Sequence, residues 1–519
     1  MARLRGNPYP MSELPSRLGV VGAGTMGAGI AQLGCLAGLE TLLHDPVEGA
    51  LERGEYSVRT GLEKGAQRGR WSEDEARAAG DRLRLCDELE GLADCELVIE
   101  AAPERPELKR ELFERLSETC ADDTVLASNT SSILVSSLAS AAARPENVVG
   151  MHFFNPPPLM RLLEVIAAAQ TGERALAMAR AVGEAMGKTV IVASDGPGFL
   201  VNRCGRPVNG EALRLLQEGV ASVEQIDRVA RLGGGFRMGP FELMDLVGID
   251  VGYEVARSFN EQSFGEPRWK PSMLQARMVA AGTLGRKTGK GWYSYEEDKP
   301  YRPDDEEPPE PGGGDGRIVA IEGDGALADA LRERGVAAGF DVGGGDPELV
   351  VQVTPGEAVD ALGRPLVVLC ADRSLAAHGI PGAVGFHLLP PVGRLVELTR
   401  LPGTRDRAAD AAEAFFTSLG FHHEWVQDAP GLVLGRLVCQ LVNEALFAIG
   451  EGVGSADDVD AGTTLGLNHP RGPVAWGREI GFDRVLGTME GLWRERREER
   501  YRPAPLLQRV VATGDESLS

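Results

Sequence analysis

Gly22, Gly24 and Gly27 stand as G-x-G-x-x-G directly behind a short apolar run, Arg17–Val21, and at the head of a helical pattern from Ala28 to Ala37. No other feature confines the chain as tightly. The first glycine permits a tight turn, the second lets backbone approach a pyrophosphate, and the third lets helix pack closely on strand. The amides and dipole of the helix N-terminus draw an anion to the same place. Thr25 and Met26 lie inside that turn. A second apolar run, Glu40–His44, ends on Asp45. A carboxylate there accepts hydrogen bonds from the adenosine ribose hydroxyls and repels a 2′-phosphate, so the fingerprint predicts a site for NAD and not NADP.

Strand and helix patterns continue to alternate. Cys95–Glu100, Thr124–Ala127 and Val148–His152 read as strands, and a helix is expected near Glu107–Glu118. That alternation predicts a doubly wound parallel sheet. After about residue 197 the pattern turns to long helices, ending near 296. Residues 297–316 are acidic and rich in Pro and Gly, without large aliphatic side chains, and are expected to form a flexible linker. Beyond it the landmarks recur in degraded form. Arg317–Gly325 echoes Arg17–Gly24, Glu348-Leu-Val-Val echoes Glu96-Leu-Val-Ile, and Gly385-Phe-His-Leu-Leu-Pro-Pro echoes Gly150-Met-His-Phe-Phe-Asn-Pro. Pro430-Gly-Leu and Gly472-Pro-Val repeat Pro197-Gly-Phe and Gly239-Pro-Phe at a constant shift of 233. The expected fold is therefore an α/β Rossmann-type NAD-binding domain plus an all-helical domain, followed by a truncated, degenerate repeat of both. The boundaries are an extension at 1–16, a Rossmann domain at 17–196, helices at 197–296 and the linker at 297–316. A degenerate Rossmann-like domain at 317–429 and a second helical domain at 430–519 complete the chain.

Composition narrows the class of partner. With 54 basic against 77 acidic residues the formal charge is −23, which argues against nucleic acid or an anionic membrane. Any polyphosphate ligand then needs local positive groups. Seven cysteines without C-x-x-C or zinc-type spacing read as reduced thiols, and no metal site is expected. No apolar run reaches a membrane-spanning length. The first eighteen residues lack the hydrophobic core of a secretory signal, and Met11 is a possible start. A soluble, cytoplasmic protein is expected.

His152 closes a strand at the carboxyl edge of the sheet, where ligands bind, and Glu164 follows twelve residues later, beyond Pro156-Pro157-Pro158. Oxidation of an alcohol by hydride transfer needs a base for the hydroxyl proton, and an imidazole oriented by a carboxylate is suited to it. Taken alone, the pair leaves a structural histidine as the commoner reading.

A longer set of motifs goes further. Ser128-Asn-Thr-Ser-Ser132, Gly150-Met-His-Phe-Phe-Asn-Pro156, Leu163-Glu-Val165, Asp195-Gly-Pro-Gly-Phe199 with Val201-Asn-Arg203, Gly239-Pro-Phe-Glu-Leu243 and Gly285-Arg-Lys-Thr-Gly-Lys-Gly-Trp-Tyr293 together resemble the 3-hydroxyacyl-CoA dehydrogenase family. The likeness runs in order over about residues 17–295 and is nearest to the long bacterial branch, which includes 3-hydroxybutyryl-CoA and 3-hydroxyadipyl-CoA dehydrogenases. It implies NAD-dependent interconversion of (S)-3-hydroxyacyl-CoA and 3-ketoacyl-CoA in fatty-acid or related acyl-CoA metabolism. His152 would then be base and acid, Glu164 its partner, and Ser131 and Asn202 the holders of the substrate oxygen. The resemblance places Ala101, Glu104, Lys109 and Asn129 along the cofactor and Asn155 on its nicotinamide side. The stretch Gly61–Arg68 aligns with a helical arm that meets CoA, where a hydroxyl has become Gly61 and a lysine has become Arg68. A dehydrogenase of a non-CoA hydroxy acid and a non-catalytic NAD-binding protein remain as alternatives.

The second copy keeps His387 and Glu397 but has Ala328 for the third glycine and Gly435 for Asn202. It is expected to be structurally retained and catalytically silent. Its helices would pair with those of the first copy as an internal pseudo-dimer. A homodimer of the whole chain remains possible on this reading.

Overall fold

The structure, a computed structural model, describes residues 14–343, 345–353 and 363–518. The expectations about the amino-terminal extension fall mostly outside them. The described chain divides into two compact units, one reaching to Asn202 and including Gly452–Leu467, the other comprising Arg203–Glu451 and the residues from Asn468 onward. This division differs from the sequence boundaries: a helical piece from far along the chain belongs with the first sheet, and the expected helical, linker and second-copy domains fall together in the other unit.

The first unit is built on eight strands: β1 (Arg17–Val21), β2 (Glu40–His44), β3 (Leu83–Cys86), β4 (Leu97–Glu100), β5 (Val125–Ser128), β6 (Val148–Phe153), β7 (Leu162–Ala167) and β8 (Thr189–Ser194). Their order is β3-β2-β1-β4-β5-β6-β7-β8, and all neighbours are parallel except β6 and β7. β4, β5 and β6 are buried along their whole length, as strands covered on both faces must be. Against the sheet lie α1 (Thr25–Leu36), α2 (Ala50–Gln67) and α3 (Pro106–Thr119). α1 is buried from Gly27 to Cys35 and takes small residues where it meets other elements, so that Gly29 abuts Pro157 and Pro158. α2 buries Ala50, Leu51, Gly54, Val58, Leu62 and Gly65, one stripe at helical spacing, and leaves its other face wet.

α4 (Val201–Gln217) begins in this unit and continues into the second, where α5 (Ile249–Gln262) and α6 (Leu434–Gly450) belong. α7 (Ala456–Leu467) closes over β7 and β8 of the first unit. Glycines make this approach possible. A Cβ at Gly462 would come within 2.8 Å of Val201, and one at Gly466 within 2.8 Å of Leu162 and 3.2 Å of Phe154.

In the second unit, β9 (Ile318–Glu322), β10 (Asp341–Val342), β11 (Leu349–Gln352), β12 (Leu366–Leu369), β13 (Val384–His387), β14 (Leu395–Thr399) and β15 (His422–Trp425) form a sheet ordered β10-β9-β11-β12-β13-β14-β15. It repeats the succession of the first sheet without the outermost strand, and its one antiparallel pair is again β13 with β14. Here the segment Val229–Gly233 lies on β14, with the Arg394 amide donating to the Leu232 carbonyl at 2.8 Å.

The segment 297–316 has neither helix nor strand, as expected, but it is tied down. Arg231 grips Asp305 with two hydrogen bonds of 2.8 Å, Arg302 pairs with Glu242, and His422 meets the Glu306 carbonyl. Low aliphatic content prevents a segment from nucleating a core. It does not prevent docking through ion pairs, and flexibility was the wrong inference for these residues. No helix among the described residues is long and apolar enough to cross a membrane.

Candidate active site

The antiparallel register of β6 on β7 sets Gly150 opposite Ile166 and His152 opposite Glu164. Directly opposed side chains share one face of the sheet. His152 Nδ1 lies 3.0 Å from Glu164 Oε2, with the histidine 6% and the glutamate 0% exposed. The other carboxylate oxygen, Oε1, accepts the amides of Leu200 and Val201 at 2.7 and 3.1 Å. One buried acid thus holds the imidazole and fixes the start of α4, where Asn202 follows. Both carboxylate oxygens accept, so Nδ1 carries the proton and Nε2 keeps its lone pair. The rings of Phe154 and Phe199 stand 4.6 and 6.0 Å from the imidazole and give it an apolar wall.

The glycine-rich turn has the form a pyrophosphate requires. Gly22 has φ +101°, and a Cβ there would meet the Ala101 carbonyl at 2.7 Å. A Cβ on Gly27 would strike the Gly22 carbonyl, whereas one on Gly24 would meet nothing within 4 Å. The backbone at Gly24 is therefore open to a ligand, and no side chain among the described residues caps the N-terminus of α1 behind it. Thr25 and Met26 form the first turn of α1. Asp45 receives the Ala23 amide at 2.8 Å and the Val47 amide at 2.9 Å, so this carboxylate is braced against the turn itself.

The loop carrying Ser131 is organised by acids. Glu104 Oε1 accepts the Thr130 hydroxyl at 2.6 Å, the Ser131 and Ser132 amides at 3.0 and 3.1 Å, and the Ser132 hydroxyl at 2.9 Å. Burial alone would raise the Glu104 carboxyl. Lys109 and these hydroxyl donors bring it down to about 2. Lys109 itself is sealed between Glu100 and Glu104, at 2.8 and 3.0 Å, and is only 1% exposed. It was expected beside the cofactor and is instead enclosed, because two carboxylates converge on it. Whatever it contributes passes through Glu104. Asn129 accepts the Phe153 amide at 2.8 Å and so ties the end of β5 to the end of β6. Asn155 is exposed just past His152.

Three groups escaped the sequence reading. Glu100, fully buried, accepts the Ser128 hydroxyl and the Ala102 amide at 2.6 Å each, beneath the serine loop. Lys188 donates to the carbonyls of Pro157 and Met160 at 2.6 and 2.7 Å and pins the proline turn, and burial pushes its pKa down to about 8. α7 supplies the third, the cover beside Phe154. None of them carried a motif.

Arg68 lies at the exposed C-terminus of α2, near Lys64 and Arg70, on a cationic end of an otherwise acidic chain. A side chain at Gly61 would press on Gln32 of α1.

Residues 17–196 match the model of the 3-hydroxyacyl-CoA dehydrogenase NAD binding domain, and residues 198–295 with 431–517 match that of the 3-hydroxyacyl-CoA dehydrogenase C-terminal domain. The chain is 34% identical over 504 residues to 3-hydroxyadipyl-CoA dehydrogenase of Escherichia coli K12, a match covering 96% of this chain and 98% of that one. It is 40% identical over 287 residues to 3-hydroxybutyryl-CoA dehydrogenase of Mycobacterium tuberculosis H37Rv, over 55% of this chain and 100% of the other. Among solved structures, 3-hydroxybutyryl-CoA dehydrogenase of Escherichia coli K12 superposes with a TM-score of 0.79 at 32% identity, covering 96% of this chain and 99% of that one.

Proposed function

The chain belongs to the 3-hydroxyacyl-CoA dehydrogenase family, and from that premise we propose that His152 and Glu164 are the acid–base pair of an NAD-dependent oxidoreductase. The reaction interconverts (S)-3-hydroxyacyl-CoA and 3-ketoacyl-CoA in fatty-acid or related acyl-CoA metabolism. The observation that carries this reading is the 3.0 Å contact of His152 Nδ1 with a carboxylate that also anchors α4.

In the oxidative direction His152 Nε2 takes the proton of the C3 hydroxyl, and Glu164 stabilises the imidazolium that results. NAD⁺, which the turn of Gly22, Gly24 and Gly27 and Asp45 would hold, would supply the acceptor for the C3 hydride. Asn202 and Ser131 hold the oxygen as its charge develops. Glu104, which receives the Ser131 amide, keeps that serine in place. Phe154 and Phe199 exclude water from the imidazole. The open backbone at Gly24 and the braced Asp45 suit a pyrophosphate and a free ribose diol, with Ala101 packed against Gly22 and Asn155 assigned to the nicotinamide side. Arg68 is assigned to CoA phosphate as a charge partner.

Absorbance at 340 nm with acetoacetyl-CoA and NADH tests the assignment. His152→Ala is expected to lower kcat by about 10²–10⁴-fold, the usual weight of a general acid–base group. Wild-type protein that consumes no NADH with any 3-ketoacyl-CoA defeats the reading.

The finer part of the proposal is that the chain is an internal duplication whose second copy is silent. The buried ion pairs of the second unit support it. Arg203 meets Glu444 at 2.8 Å, and Arg436 meets Glu211 at 2.6 Å, the partners in each set displaced by 233 residues. Such reciprocity is the signature of a two-fold contact, here between the helical parts of one chain. Glu397 accepts the Val433 and Leu434 amides as Glu164 accepts those of Leu200 and Val201. Chemistry is missing from this copy. His387 is 3.6 Å from Glu397 and buried, with neither ring nitrogen hydrogen-bonded. A Cβ at Gly435 would lie 2.6 Å from that ring, so no side chain can stand where Asn202 stands in the first copy.

A further inference from the structure

The loop between β6 and β7 leads from His152 past Asn155 and back to Glu164. Pro156, Pro157 and Pro158 have no amide to donate, so the carbonyls of this loop must find donors elsewhere. That of Pro156 accepts the Leu159 and Met160 amides at 3.0 and 3.1 Å. Those of Pro157 and Met160 are both taken by Lys188 Nζ, at 2.6 and 2.7 Å. Leu162 pairs with Thr189 in the parallel register of β7 and β8, so Lys188 stands just ahead of β8, at the edge of the sheet where β6 ends.

Burial is the cause that lowers the Lys188 pKa, and no ion pair among the described residues opposes it. An ammonium drawn out of water without a counter-charge costs stability. Here its donors tie two points of one turn together.

The loop is fixed on two further sides. A Cβ at Gly29 would meet Pro157 and Pro158 at 3.1 Å, so the proline turn lies against α1, the helix that follows the glycine-rich turn. At the end of β6, Asn129 accepts the Phe153 amide at 2.8 Å. Phe154 and Asn155 lie between these anchors. The Phe154 ring stands 4.6 Å from that of His152, and Asn155 is exposed.

We propose that Lys188 is a positioning residue of the reaction: by holding the carbonyls of Pro157 and Met160, it sets Asn155 where the nicotinamide must be held for hydride transfer. The inference rests on the function proposed above, and its test separates the two. A misplacement of about 1 Å lowers a rate by up to about 100-fold. The full-length protein is taken through a double-mutant cycle of Lys188→Met and Asn155→Ala. The readout is kcat/KM for NADH at saturating acetoacetyl-CoA, followed at 340 nm, with urea denaturation of each variant alongside. In the wild-type background Lys188→Met is expected to lower kcat/KM by about 10–100-fold. In the Asn155→Ala background the same substitution should cost less than about threefold, since the residue it acts through is gone. Lys188→Gln is read in its place if the methionine variant does not fold. A pin that serves stability alone would lower the urea midpoint and leave kcat/KM of the folded variant within about twofold of wild type. That result, or equal losses in the two backgrounds, overturns the assignment. Wild-type protein that consumes no NADH overturns instead the function on which it rests.

Discussion

Replacing Lys109 with methionine probes the acid network under the serine loop. Lys109 Nζ sits 2.8 Å from Glu100 Oε1 and 3.0 Å from Glu104 Oε2, in a site only 1% exposed. Without it Glu100, fully buried, keeps only the Ala102 amide and the Ser128 hydroxyl. Stripping one member from a buried pair costs about 3–5 kcal/mol, since the remaining charge stays desolvated. Glu104 adds little to this, because 36% of its side chain meets water, which screens the loss. The expected destabilisation at pH 8 is therefore about 4 kcal/mol. Urea denaturation followed by far-ultraviolet circular dichroism at pH 8 measures it. Adding Glu100→Gln to Lys109→Met removes the stranded charge and should recover more than half of the loss. A penalty below about 1 kcal/mol, or no recovery in the double variant, refutes the reasoning.

Two further expectations concern the dyad and the second half of the chain. Glu164→Gln removes the acceptor that keeps the proton on Nδ1, and kcat should fall by about 10²–10⁴-fold while the NADH dissociation constant, followed by fluorescence, changes little; a kcat near wild type contradicts the assignment. Truncation after residue 296 removes α7 and bares the side chains of Leu162, Ile191 and Val201 that Gly462 and Gly466 approach. The shortened protein should be inactive or dimeric by light scattering, and a fully active monomer sinks the internal pseudo-dimer.

The dinucleotide turn and the dyad were legible because each depends on short-range order. A glycine pattern between an apolar strand and a helix has few other uses, and a Cβ would clash at Gly22 and Gly27 but meet nothing within 4 Å at Gly24. His152 and Glu164 are twelve residues apart, close enough for one antiparallel pairing to bring them opposite. What stayed hidden depends on partners far along the chain. The docking of Arg302 and Asp305 requires Glu242 and Arg231, some seventy residues earlier. The enclosure of Lys109 requires Glu100 to turn inward, and an isolated helix start with Glu and Lys looks solvated.

The second sheet also sets a histidine opposite a glutamate, His387 and Glu397, so such a pair cannot by itself be read as catalytic. Glu164 has two tasks, one on each oxygen: it orients His152, and it holds the first amides of α4. Glu397 still performs the second, accepting the amides of Val433 and Leu434. That task is structural, since losing a buried acceptor would strand two helix-start amides. A glutamate at this position therefore persists whether or not chemistry does, and the histidine opposite fills space. The discriminating position is the one after those amides. On the proposed function asparagine at 202 supplies a donor to the substrate oxygen, whereas a Cβ at Gly435 would lie 2.6 Å from the ring of His387. Asparagine at 435 would drive a side chain into that ring and disturb β13, which carries His387.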